Sequence, residues 1–301
     1  MSELTVIIPY LAGTPTDYLE ETLASILEFR PEGLEILVVN AGRYSDSYSI
    51  EEEGVRFLDA DEELGEAECV NIGIFAATTP IVQTLLCGVS VEEGWTDAAL
   101  GRFESEKIGA VIPAVIEQRD KTGEIRRFGW TYRRDGRIDA ISAPGVFSKG
   151  ICMAPTRYGA FFRRQPLVDF GGFESFPLDF AGIDAVLLLD GLGFGTVCEP
   201  ASRLFLDGAA AADPDILELL TFQEAIFRRW TDWRGRGKNL RLYRKRTFFA
   251  WLGGIFSARG KLLREGRAAG RTLGDENARK RKLLDAKRAL SARRKQAAQA
   301  Q

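Results

Sequence analysis

Short apolar runs rich in β-branched residues alternate, over the first two thirds of the chain, with segments whose apolar residues recur at helical spacing. Leu4-Thr-Val-Ile-Ile-Pro9 is such a run and reads as a buried parallel strand. Tyr18 to Leu27 carries the helical period, with Thr16 or Asp17 expected as its N-cap. Leu34-Glu-Ile-Leu-Val-Val39 predicts a second strand, ended by Asn40-Ala41-Gly42, and Val55–Leu58 a short third. Ala67 to Ala77 predicts a helix closed by Pro80, and Ile81–Leu86 a fourth strand. Helix over Trp95–Ser105, strand over Gly109–Val115, strand over Gly159–Arg163 and helix over Gly182–Leu192 follow.

Strands alternating with helices predict an α/β fold, a mostly parallel doubly wound sheet with helices on both faces. Such sheets hold ligands beyond the carboxyl ends of their strands. Those ends are the loops Pro9–Thr14, Asn40–Asp46, Asp59–Gly65 and Leu86–Ser90. Residues 118–150 mix Arg, Gly and Asp with short apolar pieces and read as a hairpin-like excursion. From Pro214 onward the pattern is helical throughout. The expected organisation is an α/β domain over 1–213 and a helical, basic extension over 214–301.

Composition narrows the chemistry. The 301 residues contain no histidine, which removes any Ser-His or Cys-His nucleophile system and the commonest transition-metal ligand. The four cysteines, Cys69, Cys87, Cys152 and Cys198, form no CxxC, so a reducing cytoplasmic setting is expected. No run of about 18 uncharged apolar residues predicts a membrane span, and Met1-Ser2-Glu3-Leu4 has no basic leader region. Charge is lopsided. From Arg228 to the end there are 23 Lys and Arg against 5 Asp and Glu, whereas residues 1–227 hold 17 against 38, out of totals of 40 and 43. An acidic body carries a basic tail.

Five landmarks occur in order: Leu4–Pro9, Leu34–Val39, Leu64-Gly65 with Asn71-Ile-Gly73, Gly94-Trp95, and Gly159-Ala-Phe-Phe-Arg-Arg164 with Gly171-Gly-Phe-Glu174. With these loops and spacings, about residues 3–207 resemble the family-2 glycosyltransferases of the GT-A fold. The resemblance implies a cleft for a nucleotide-diphosphate sugar and a second ligand, a glycan or other acceptor. It also points to Pro9, Tyr10, Asn40, Gly42, Asn71 and Gly88 as nucleotide-side residues.

The family's acidic groups do not carry over. Where its nucleotide loop has Asp-Asp-Gly, this chain has Asn40-Ala41-Gly42; Asn40 keeps an acceptor without the charge. Where its Asp-x-Asp holds Mg²⁺ or Mn²⁺ against the leaving diphosphate, this chain reads Leu86-Cys87-Gly88. A hard cation needs oxygen ligands, so no divalent metal or other cofactor is expected there. Where the family has a Glu-Asp base pair, this chain has Ala181-Gly182-Ile183-Asp184. Asp184 matches the motif's later acid, a helix-orienting position, and Asp179 is the nearest substitute base. Asp59-Ala-Asp61 spells the metal motif but follows the third strand, and reads as a solvated loop or as a relocated metal site.

Three functional readings stand on these residues. One is a pseudoenzyme that keeps the cleft for binding a nucleotide, glycan or partner. A second is a metal-independent transferase, with Arg43, Arg163 or Arg164 facing the diphosphate and Asp179 or Asp184 as base. The third is a scaffold acting through residues 241–261, whose aromatics and cations suit an anionic membrane at the inner face, a peripheral placement. The same cations can instead pair with the acidic body or with a second copy in a homo-oligomer. Nucleic acid is not an expected partner. Asn277–Gln301 reads as a solvated end. Trp130, Tyr132 and Trp230 read as core, or as a platform for a sugar.

Overall fold

In a computed structural model the described residues are 3–46, 48–119, 123–141, 151–207, 214–252 and 258–299. The predicted alternation is present in the strands β1 (Leu4–Tyr10), β2 (Glu35–Asn40), β3 (Val55–Asp59), β4 (Ile81–Leu85) and β5 (Val89–Val91). Helices α1 (Thr16–Glu28) and α2 (Glu66–Ala76) lie between them, and α3 (Asp97–Arg102) follows β5. Then come β6 (Ile108–Arg119), β7 (Gly123–Arg127), β8 (Trp130–Arg133), β9 (Ile138–Ala140), β10 (Ile151–Ala154) and β11 (Gly159–Arg163). Helices α4 (Arg164–Asp169) and α5 (Leu178–Leu192) precede the long strand β12 (Gly195–Asp207).

The main sheet runs β3-β2-β1-β4-β11-β6-β12-β5, with β7 paired to β6. Strands β1 to β4 are parallel, whereas β11 is antiparallel to both β4 and β6. Side chains alternate across the sheet with period two. Val6, Ile8, Ile36 and Val38 pack under α1 and α3, through Leu19, Leu23 and Ala99. Ile7, Leu37, Val39 and Val82 face the other way, against Val70 and Ile74 of α2 and Ile183 and Leu187 of α5. Helices thus cover both faces, as a buried parallel sheet requires. The excursion is the β6–β7 hairpin followed by a three-stranded sheet, β10-β8-β9; its residues 120–122 and 142–150 lie outside the described ones.

Three local expectations are corrected. Pro15, not Thr16 or Asp17, precedes α1 as cap, and no side chain caps it. The Trp95–Ser105 helix is confined to Asp97–Arg102, because Trp95 is withdrawn into the core, donating to Gln83 Oε1 at 3.1 Å. The C-terminal segment is docked along one face, while its outer face and residues 294–298 stay exposed. Helices α6 (Ile216–Arg229), α7 (Arg236–Leu252), α8 (Ala258–Leu273) and α9 (Glu276–Gln299) follow β12. Helix α8 lies on α6 through Gly266 and Gly270, and Gly274 just past its end does the same; an added Cβ at these positions would overlap Leu220, Thr221 and Ala225. Helix α7 folds back along α6, stacking Tyr243 on Phe227 at 4.0 Å between ring centroids. Helix α9 buries Ala286, sets Leu283 against Gly191, and pairs Lys282 with Glu174 and Arg293 with Asp169. Its few apolar anchors suffice because body carboxylates receive its cations. Among the described residues no helix is long and apolar enough to cross a membrane.

Candidate functional site

A cleft of about 210 Å³ opens at the carboxyl ends of β1 and β4. Its floor is Pro9, Leu11, Leu86 and Cys87, and one wall is Thr14, Pro15 and Tyr18 at the start of α1. Glu66, the first residue of α2, and Arg157-Tyr158 complete it. Arg157 reaches this end because β11 runs antiparallel to β4, which brings the residues before Gly159 beside Leu85 and Leu86. A guanidinium N–H of Arg157 donates to Glu66 Oε1. The adjoining carboxylate holds Arg157 protonated, and the ion pair keeps both signs of charge in the cleft.

Behind this pair lies Asp179, in the first turn of α5. Its Oδ1 accepts from Trp130 Nε1 at 2.7 Å and from the Arg157 backbone N–H at 2.8 Å. Burial pushes the carboxyl up to about 6 despite those two donors. Asp179 faces a pocket of about 20 Å³ bordered by Gly129, Thr156 and Tyr158, room for one water. Tyr158 borders both spaces. Arg157 and Asp179 therefore form one unit, a cation in the cleft whose backbone fixes a buried acid.

Leu86-Cys87-Gly88 carries no side-chain oxygen for a divalent ion. The Cys87 thiol donates to the Pro9 carbonyl at 3.5 Å, and burial pushes its pKa up to about 12, so it is no thiolate ligand. Gly88 sits at φ +83°, a left-handed turn that suits glycine, and its N–H is held by Thr22 Oγ1 and the Tyr18 carbonyl, both at 3.0 Å. At this position the chain lacks the paired oxygen side chains of an Asp-x-Asp, and Glu66 is the carboxylate that lines the cleft. Asp59 and Asp61 do not replace the missing pair: both are exposed, three strands from Cys87, about 14 Å at ordinary strand spacing. Among the described residues no three of His, Cys, Asp and Glu gather as ion ligands.

The other nucleotide-side residues are mostly committed to the fold. Pro9 lines the cleft. Asn40 is spent on its own loop: Oδ1 accepts from Tyr44 N at 2.7 Å and Nδ2 donates to Tyr44 O at 3.1 Å. Tyr10 is buried edge-on against Tyr44, and Gly42 lies so close over the Tyr10 ring that a Cβ would overlap it. Asn71 bonds Phe173 in both directions, through N–H at 2.7 Å and carbonyl at 3.0 Å. It thereby ties α2 to the Gly171-Gly172-Phe173 turn.

Asp184 is enclosed rather than presented. It is 1% exposed, and its Oδ1 accepts from Arg229 Nε at 2.7 Å and Trp230 Nε1 at 2.6 Å. Arg229 also reaches Glu174, so this acid anchors α6 to α5. Arg163 and Arg164 are corrected as candidate diphosphate cations. Arg163 ends the reversed strand β11 and Arg164 opens α4, both at the amino end of β4, where Arg163 donates to the Phe103, Ser105 and Ile108 carbonyls and Arg164 to those of Ile74 and Phe75. Arg43 is exposed and paired with Glu62. Trp130, Tyr132 and Trp230 are all buried. Arg157 and Glu66 carry no signal in the sequence; only the direction of β11 brings them together.

The sequence model described as glycosyl transferase family 2 matches residues 5–166, more than half of the chain. The chain belongs to that family. Two solved structures share the fold. One is GalNAc-T7 with UDP, GalNAc and Mn²⁺, at 11% identity and TM-score 0.55, covering 75% of this chain. This chain spans only about half, 48%, of that protein's length. The other is the mannosyltransferase PcManGT from Pyrobaculum calidifontis in complex with GDP-Man and Mn²⁺, at 17% identity and TM-score 0.51, covering 96% of this chain and 80% of that one. No curated protein sequence matches the chain.

Proposed function

We propose that this family-2 glycosyltransferase homologue binds a nucleoside diphosphate sugar in the Pro9–Arg157 cleft without a divalent ion, and that it has left metal-dependent transfer for a binding or accessory role. The observation that carries this reading is the exchange of chemistry at one place. Leu86-Cys87-Gly88 supplies no oxygen side chain to a metal, while Arg157 supplies a fixed positive charge at the cleft wall. Structural relatives hold UDP or GDP-mannose together with Mn²⁺. A guanidinium can meet a diphosphate bidentately in the ion's stead, provided that Glu66 yields its partner. Residues 1–213 are taken as the ligand-binding part and 214–301 as its helical extension.

Calorimetric titration of UDP-, GDP- and other nucleoside-diphosphate sugars, with and without Mn²⁺, tests the proposal. Binding that Mn²⁺ leaves unchanged supports it. Binding that appears only with Mn²⁺ refutes it.

Asp179 supports a second reading, metal-independent transfer. A carboxyl with a pKa near 6 suits a general base. It would take the acceptor hydroxyl's proton through the one water its pocket admits, as that oxygen bonds the sugar carbon and the bond to the diphosphate breaks. Release of free nucleoside diphosphate in the presence of a glycan acceptor, lost in Asp179→Asn while donor binding persists, would select this reading over the first.

A further inference from the structure

We propose that the outward face of α7 docks on an anionic lipid surface. One side of the helix packs on the body, against α6, the turn after α6 and Arg134 of the β8–β9 turn. Asn239 is buried there, bonding the Thr231 and Trp233 carbonyls; Tyr243 stacks on Phe227; and Arg246 donates to Gln223. The opposite side exposes Lys238, Arg241, Arg244 and Lys245 together with Phe248 and Phe249. The two rings are 55% and 60% exposed and meet edge to face at 5.8 Å.

Charge separates this face from the rest of the tail. Several cations elsewhere in the basic extension are paired with carboxylates, Arg229 with Asp184 and Glu174, Arg279 with Asp232, Lys282 with Glu174 and Arg293 with Asp169, whereas Lys238, Arg241, Arg244 and Lys245 are exposed on one helix beside two exposed rings. Helix α7 contains no Asp or Glu at all. Cations on a helix followed by exposed aromatic rings match a bilayer interface, where phosphates take the charges and the rings enter the acyl boundary.

Size and shape favour lipid over protein. Seventeen residues make a helix of about 25 Å, and one face about 10 Å wide offers about 250 Å². A stable protein interface needs roughly 800 Å² from each partner. The face is also convex, so a protein partner would have to bring a matching groove, whereas a bilayer deforms to fit. The excess cations and the deformable partner together account for two neighbouring phenylalanines that are more than half exposed.

The test is co-sedimentation of the full chain with vesicles of phosphatidylcholine alone and of phosphatidylcholine with about a third phosphatidylserine, at low and at 0.5 M salt. The expected result is sedimentation with the anionic vesicles only, weakened by salt. Two double variants, Phe248→Ser with Phe249→Ser and Arg244→Glu with Lys245→Glu, should each lower apparent affinity at least tenfold, with unchanged melting temperature and unchanged nucleotide binding. Equal sedimentation with neutral vesicles overturns the proposal. So does wild-type sedimentation by both variants. A dimer in sedimentation velocity that dissociates in the phenylalanine variant, without vesicle binding by the wild type, would assign the face to a second copy instead. The vesicle comparison on the unaltered chain needs no variant to fold.

Discussion

Arg157 and Glu66 form an ion pair across the cleft at the carboxyl ends of β1 and β4, and the backbone N–H of the same Arg157 holds the buried carboxyl of Asp179. One residue thus couples the charge seen by a ligand to the acid behind it. Arg157→Ala should weaken nucleoside-diphosphate binding on the order of tenfold or more, the scale of a lost charge-assisted hydrogen bond. Glu66→Gln should strengthen it a fewfold, because Arg157 is then released from a competing carboxylate. Calorimetry on the two variants decides the matter: equal weakening in both would show that the pair acts as a structural clamp only.

Asp179 makes stability depend on pH in an unusual direction. Burial lifts its pKa from 3.8 to about 6, so between those values the native state keeps a proton that the unfolded chain has released. This group's contribution is greatest below about pH 3.8, falls as pH rises through 6, and leaves the native state roughly 3 kcal/mol less stable at neutral pH than if the pKa were unshifted. Asp179→Asn keeps an oxygen for Trp130 and Arg157. It should therefore raise the melting temperature at pH 8 by several degrees, with the difference closing near pH 4. A difference independent of pH would mean that the carboxyl is not held this way.

The Asp184–Arg229 pair is nearly inaccessible, at 1% and 2% exposure. Arg229→Met strands a buried carboxylate and should cost about 3–5 kcal/mol. Adding Asp184→Asn to it should recover part of that loss, which paired denaturation curves would show. If Asp184 were instead a catalytic base, Asp184→Asn alone would abolish turnover without shifting the denaturation midpoint.

Asn71 and Gly172 fit together with no room to spare. Gly172 has φ +80°, and a Cβ there would overlap the Asn71 amide. Gly172→Ala should cost about 1–3 kcal/mol from overlap and backbone strain combined. Asn71→Ala, which strands the Phe173 N–H and carbonyl, should cost a similar amount. In a double-mutant cycle the two losses should be far from additive, since both act on one turn.

Much of the fold was legible along the chain. The β-branched runs at Leu4–Pro9 and Leu34–Val39 show strands because period two and burial on both faces leave a local signature. The loss of oxygen ligands at Leu86-Cys87-Gly88 is equally local, and family membership over residues 5–166 follows from the same landmarks. The direction in which a strand runs has no such signature. Gly159–Arg163 reads the same parallel or antiparallel, yet its reversal carries Arg163 and Arg164 to the far end of the sheet and brings Arg157 into the cleft. Hydrogen-bond partners distant in sequence are equally invisible. Asn71 looked available for a ligand until Phe173, 102 residues on, claimed its amide, and Asn40 until Tyr44 did. The basic tail shows its charge but not its pairing. Docking of α6 and α9 on Asp184, Glu174 and Asp169 neutralises one part and leaves the outer face of α7 exposed. The sequence alone determined the kinds of element and the chemistry missing from the cleft. Tertiary structure decided which side chains were already spoken for, because that depends on contacts between segments that no local pattern encodes.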